Sequence, residues 1–379
     1  MTTPSGWRNL TLGDLEAESN GVIQTGPFGS QLHMSDYSKI GTPVVMPTNI
    51  RDLRVSTEGI ARVADEHVER LARHKLRVGD IVYSRRGDVE KCALITDQQA
   101  GWLCGTGCLL VRVSGPTVDA RCLTYLLSLP ITKAWISQHA VGATMPNLNT
   151  EVLREVPVTL PPIHIQQSIA GTLGALDDKV ESNRRAHALA WALLESEYCK
   201  IAEQGRRVRL GELLSLEYGK ALPASVRSTG DVPVYGSGGV TGSHDRALVE
   251  GPAVVVGRKG SVGEVYWSHA KCFPIDTTFY VRPAKGVPLL ATFFALRSAG
   301  LDAMNSDSAV PGLNREAALG VEVLVPLDND ARAWATRRSL LVDWLQQVES
   351  ESARLVAMRD ALLPELLTAP IREKTVGAA

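Results

Sequence analysis

Two distant segments of this chain repeat one another, and the repetition limits the architectures open to it. Residues 145–149 read Met-Pro-Asn-Leu-Asn, and residues 310–314 read Val-Pro-Gly-Leu-Asn. Glu151 or Glu316 comes next, then an apolar alternation: Val156, Val158 and Leu160 in one copy, Val321, Val323 and Val325 in the other. That period of two predicts a strand, which a proline ends in each copy, Pro161 or Pro326. The beginnings match as well, Leu12-Gly13-Asp14-Leu15 against Leu210-Gly211-Glu212-Leu213. So long a period excludes a solenoid and predicts two similar globular units, each followed by its own helix.

A chain of 379 residues has room to bury a core in each unit, and 44% hydrophobic with 21% charged residues is ordinary globular composition. The N-terminus lacks a basic-then-apolar signal pattern, and the longest apolar run, Leu289 to Leu296, is too short to cross a bilayer. A soluble, cytoplasmic protein with no membrane partner is expected. Six cysteines (Cys92, Cys104, Cys108, Cys122, Cys199, Cys272) follow neither a disulfide framework nor a zinc spacing, and predict reduced, mostly buried thiols. The net charge of −1 argues against a generic polyanion binder. The charge is nevertheless sorted, with Arg70, Arg73, Lys75, Arg77, Arg85, Arg86 and Lys91 inside one stretch.

Residues 1–158 and 206–325 read as mainly β with short helices, punctuated by glycine and proline turns. Leu123 to His139 reads as a helix broken at Pro130. Residues 159–205 and 326–370 differ, because their apolar residues fall on heptads. Ile169, Leu176, Asn183 and Ala190 form one seam position, with Leu173, Val180, His187, Leu194 and Ile201 the other. In the later segment Leu341, Val348, Leu355 and Leu362 alternate with Trp344, Glu351 and Met358. Two such stripes are unstable alone, so the helices are expected to pair with each other, with Asn183 fixing register. The expected fold class is α+β: two similar mainly-β/mixed domains, each followed by a long helix, with the two helices paired as an antiparallel coiled coil. Residues 371–379 read as a flexible tail.

No catalytic signature stands out. The segment Gly236-Ser-Gly-Gly-Val-Thr-Gly242 lacks the Gly-Lys-Ser/Thr ending of a phosphate loop, the histidines do not cluster as metal ligands, and no Gly-x-Ser-x-Gly elbow occurs. A non-catalytic chain without cofactor or metal is expected. What remains is a set of loops with basic, small and polar residues. Arg85-Arg86-Gly87 and Arg258-Lys259-Gly260 each follow an apolar strand led by a glycine turn. Arginine and lysine donate to guanine edges and phosphates, and glutamine and asparagine can pair with adenine. On that chemistry the candidate DNA-binding residues are Ser30, Gln31, Asn49, Arg85, Arg86, Lys91, Tyr235, Ser237, Arg258, Lys259 and Ser261.

The order of parts resembles the specificity subunit of a type I restriction–modification enzyme. The residues carrying the resemblance are Gly142-Ala-Thr-Met-Pro-Asn-Leu-Asn, then Val156-Pro-Val-Thr-Leu-Pro-Pro-Ile and Gln166, and Leu173-Gly-Ala-Leu-Asp-Asp-Lys-Val in the helix. Tyr235-Gly-Ser-Gly-Gly and Gly257-Arg-Lys-Gly-Ser-Val-Gly resemble recurrent recognition-domain motifs. The resemblance implies target-recognition domains at 1–158 and 206–325, and spacing helices at 159–205 and 326–370. It implies a bipartite double-stranded DNA site, and two modification subunits that carry S-adenosylmethionine and methylate adenine. Restriction subunits would join in some assemblies. The chain departs from the family where Ile165 replaces a glutamate, Leu327 a proline, and Ala331 the glutamine that Gln166 provides in the first copy. The alternative reading is a coiled-coil scaffold that organises partner subunits without reading DNA.

Overall fold

The computed structural model describes residues 6–113, 115–142, 146–304 and 312–368. Met145, Val310 and Pro311 of the repeat and the tail expected at 371–379 lie outside them. The chain forms two compact units, one of residues 1–180 with 354–379, the other of residues 181–353.

In the first unit Arg8–Thr11 pairs antiparallel with Pro157–Leu160, from Arg8 opposite Leu160 to Thr11 opposite Pro157. A four-stranded antiparallel sheet runs Val22–Thr25, Cys108–Arg112, Ile81–Ser84, Cys92–Leu94. A second sheet pairs Leu103–Cys104 parallel to Thr42–Val45. The second unit repeats this order. Arg206–Arg209 pairs antiparallel with Glu322–Val325. A sheet runs Leu214–Tyr218, Thr278–Pro283, Ala253–Gly257, Val265–Ser268, and Phe273–Pro274 lies parallel to Val232–Gly236. The sequence repeat is therefore a repeat of topology. Its central strands, Ile81–Ser84 and Ala253–Gly257, are buried at every position. Such continuous burial explains their unbroken apolar runs.

Leu123 to His139 resolves into two helices, Ala120–Leu127 and Pro130–His139. Pro130 opens the second, where its missing N–H leaves no intrahelical bond unmade. Five cysteines are buried, Cys199 is exposed, and all six are free. Among the described residues no helix is long and apolar enough to cross a membrane.

The two long helices span Ile163–Ala202 and Asp328–Thr368. In the second unit Asn183 Nδ2 donates to Glu351 Oε2 at 2.7 Å, and Arg338 Nε to Glu197 Oε2 at 2.6 Å. Residue numbers rise on one helix as they fall on the other, so the pair is antiparallel. In the first unit Arg359 donates to Asp177 at 2.8 Å, with both side chains nearly buried. The first seam matches its heptads through Ile169, Leu173, Val180, Asn183, Ala190 and Leu194, all buried. The second requires a correction. Trp344 is 37% and Met358 52% exposed, whereas Leu345 is fully buried. The inward position runs through Arg338, Leu345, Ser352 and Arg359. Polar residues fill it because they bond Glu197, Asn183 and Asp177 across the pair.

The two helix junctions differ in chemistry. Gln166 is fully buried, accepts from Asp119 N at 2.8 Å, and donates to Thr117 O at 2.9 Å and Pro161 O at 2.7 Å. Ala331 occupies the matching place after Pro326. It borders a void of about 20 Å³ lined also by Gly286 and Pro288, the counterparts of Thr117 and Asp119. Pro288 has no N–H, so a glutamine at 331 would lack the donor that Asp119 supplies.

Candidate nucleic-acid interface

Both basic turns are built by one backbone pattern. Arg85 N donates to Gly107 O at 2.8 Å, and Arg258 N to Thr277 O at 2.9 Å. Ser84 N donates to Lys91 O at 2.9 Å, and Gly257 N to Glu264 O at 2.8 Å. Gly87 (φ +74°) and Gly260 (φ +84°) follow, in the left-handed region that costs glycine least. The repeated Leu-Asn segment fastens each turn from the other side. Leu148 N donates to Arg85 O and Leu313 N to Arg258 O, both at 2.8 Å, while both leucine side chains are buried. The following asparagine caps a short helix: Asn149 Oδ1 accepts from Val152 N at 2.7 Å, Asn314 Oδ1 from Ala317 N at 3.0 Å. The repeat is thus a mount for the basic turns.

The arginines rest on aromatic faces. The Arg85 guanidinium lies 5.6 Å from the Phe28 ring centre, and Arg258 lies 5.0 Å from Tyr218 and 5.8 Å from Phe279. Arg258 Nη1 also donates to Asp276 O at 2.9 Å. Arg315 stands 5.5 Å from the same Tyr218 ring. Stacking of this kind limits the rotamers of a long cation while leaving other N–H groups to donate. Phe28, Tyr218 and Arg315 were outside the sequence-based set. An aromatic beside a glycine (Phe28-Gly29, Tyr218-Gly219) was the available signal, but only the fold reveals which arginine each ring meets.

The remaining candidates divide. Arg86, Lys259, Ser261 and Ser30 are exposed. Lys91 is exposed and paired with Asp88 at 2.9 Å on the same turn. Ser237, at the tip between Val232–Gly236 and Gly239–His244, lies against the second basic turn; a Cβ on Gly260 would come 3.0 Å from its Oγ. Ser237, Arg258, Lys259 and Ser261 therefore gather at one place. Gln31 Oε1 accepts from Phe28 N at 3.2 Å and shapes its own loop. Two candidates need correction. Asn49 is 1% exposed, and its amide is spent on Met46 N (3.0 Å) and Glu58 O (3.1 Å). Tyr235 is buried in an apolar cluster with Val249 and Val255, its hydroxyl 3.4 Å from Trp267 O. Both support loops from inside and offer little to a base edge.

The helix pair carries a second exposed surface. In the second unit Leu189 and Leu193 on the first helix, and Leu340 and Trp344 on the second, are solvent-exposed at a spacing of four. Each pair forms a stripe along its helix. Both lie between the Asn183–Glu351 and Glu197–Arg338 ties.

Residues 4–188 match the model of the family described as type I restriction modification DNA specificity domain. A curated relative from Methanocaldococcus jannaschii, described as a type I restriction enzyme MjaX specificity subunit, is 27% identical over 183 residues. The match takes in 47% of this chain and 41% of that protein, so the chain spans less than half of its relative's length. The crystal structure of a type I restriction-modification system S subunit from M. genitalium aligns with a TM-score of 0.61 at 20% identity. It covers 97% of this chain and 99% of that one, and shows a shared fold. Over residues 4–188, just under half of its length, the chain is therefore similar to the type I restriction modification DNA specificity domain family.

Proposed function

We propose that this chain is the DNA-reading, non-catalytic subunit of a type I restriction–modification enzyme. Each unit reads one half of a bipartite double-stranded site through its basic turn: Arg85, Arg86 and Lys91 with Ser30 in the first, Arg258, Lys259, Ser237 and Ser261 in the second. The helix pair sets how many unread base pairs lie between the halves. Two modification subunits, holding S-adenosylmethionine, dock on the helices and methylate adenine, and restriction subunits join that assembly.

The observation that carries this reading is the twofold mounting of one basic turn, with Leu148 held to Arg85 O and Leu313 to Arg258 O. An incidental surface charge gives no reason to build the same turn twice with its arginine over an aromatic ring each time. Arginine held in that way can form the paired hydrogen bonds that distinguish guanine in the major groove. The exposed stripes at Leu189, Leu193, Leu340 and Trp344 support protein docking on the helices.

A gel-shift experiment with a mixed DNA pool, with and without a modification subunit, tests the reading. Retention of a sequence-restricted fraction of the pool is expected. A complex of the two proteins that retains no DNA selectively would favour a scaffold instead.

A further inference from the structure

Within the second unit His187 on the first long helix, Glu349 on the second and His269 after the strand Val265–Ser268 converge. One ligand atom from each lies within 4.8 Å of the others. His187 Nε2 is 2.9 Å from Glu349 Oε1, and His269 Nε2 is 3.8 Å from Glu349 Oε2. The His269 side chain is only 7% exposed, and its Nε2 is buried with no hydrogen-bond partner. Buried nitrogens of this kind are rare unless something occupies them.

The hydrogen bonds around the cluster sharpen the point. Trp191 Nε1 donates to His187 Nε2 at 3.2 Å, so in the neutral ring that nitrogen is a lone-pair acceptor. It then faces the Glu349 carboxylate acceptor to acceptor, an arrangement that calls for a cation. Trp267 Nε1 donates to His269 Nδ1 at 3.1 Å, which leaves the unpartnered Nε2 pointing at the same carboxylate.

We propose that His187, His269 and Glu349 bind a divalent transition-metal ion, with zinc the best match to this ligand set. Bonds of about 2.0–2.1 Å in a tetrahedral set put ligand atoms about 3.3 Å apart. The two separations, 2.9 Å from His187 Nε2 to one carboxylate oxygen and 3.8 Å from His269 Nε2 to the other, lie on either side of that value, and one ligand atom from each residue lies within 4.8 Å of the others. Glu349 is half exposed, so water reaches a fourth position. Binding exchanges partners: the metal takes the two Nε2 lone pairs, the His269 proton moves to Nδ1, and the two indole N–H groups turn away. Burial already lowers the His269 pKa, against the pull of Glu349, and so favours the neutral ring a metal needs. The ion would tie both helices to the sheet of the second unit.

The full-length chain, stripped with chelator and titrated with Zn²⁺ or Co²⁺, tests this. One ion per chain is expected, with a visible cobalt spectrum free of thiolate charge transfer and a change in tryptophan emission from Trp191 and Trp267. His269→Asn and Glu349→Gln, checked for fold by circular dichroism, should each weaken binding at least tenfold, while Cys199→Ser should leave it unchanged. A wild-type chain with no saturable site would overturn the proposal, even if the variants fail to fold. Undiminished binding by both folded variants, or loss of binding in Cys199→Ser, would also overturn it.

Discussion

Replacing Gln166 by alanine should cost the first unit about 3 kcal/mol. The side chain is fully buried and makes three hydrogen bonds, to Asp119 N, Thr117 O and Pro161 O. Each bond contributes about 0.5–1.5 kcal/mol, and an abandoned buried partner costs about 1–3 kcal/mol. The void left behind would resemble the one of about 20 Å³ beside Ala331, large enough for one water that could restore part of the loss. That relief keeps the sum near the middle of the range. The reciprocal change, Ala331→Gln, should bring no gain, because Pro288 has no N–H for the new carbonyl oxygen. Urea unfolding of both full-length variants reads the cost. Amide exchange at Asp119 and Cys122 locates it, since Asp119 also caps the helix Ala120–Leu127. A loss under about 1 kcal/mol for Gln166→Ala, or an equal gain for Ala331→Gln, would refute this account of the two junctions.

Arg258→Ala should weaken DNA binding by about 1–3 kcal/mol, roughly 5- to 150-fold, and relax preference at one position of one half-site. Titration of the purified assembly against substituted sites checks this, and unchanged affinity with unchanged salt slope would remove Arg258 from the interface. Asn183→Leu should cost at most about 1 kcal/mol, since its partner Glu351 is exposed and regains water. Modification subunits assembled on the variant should nevertheless methylate sites of mixed spacing, as loss of a register-fixing polar residue implies; methylation-aware sequencing reads the spacing. Acid should destabilise both units. Arg154 holds Glu16, and Arg338 holds Glu197, below the ordinary value of 4.5. A depressed folded pKa contributes stability that is full above the unfolded value and fades as pH falls through the folded one. Urea midpoints should therefore decline below about pH 4.5, and Glu16→Gln with Glu197→Gln should flatten that decline.

Much of the fold was legible because apolar periodicity reports burial. The alternation at Val156, Val158 and Leu160 became a strand, and the heptads from Ile169 to Leu194 became a helix face. The second helix was harder to read for a physical reason. Its inward position is held by Arg338, Ser352 and Arg359, which look like surface residues until their partners Glu197, Asn183 and Asp177 are known. Trp344 and Met358, apolar and correctly spaced, drew the seam one residue aside. The basic turns were legible from residue type and repetition. Asn49 and Tyr235 looked like readers because side-chain chemistry carries no information about burial. Phe28 and Tyr218 were missed because their role depends on cation–aromatic contacts across the loops.

The central claim is that the helix pair sets the distance between two half-sites, and changing its length tests that directly. Each long helix passes from one compact unit to the other, after Val180 in the first and after Ala353 in the second. Seven residues inserted at both points add about 10 Å of helix at about 1.5 Å per residue and keep the seam in phase. With about 3.4 Å per base pair, the unread spacer should lengthen by up to about three base pairs. Methylation-aware sequencing of genomic DNA from cells carrying the lengthened chain and its modification partner should show both half-sites unchanged and the gap between them longer. An unchanged gap, or altered half-sites, would contradict the claim.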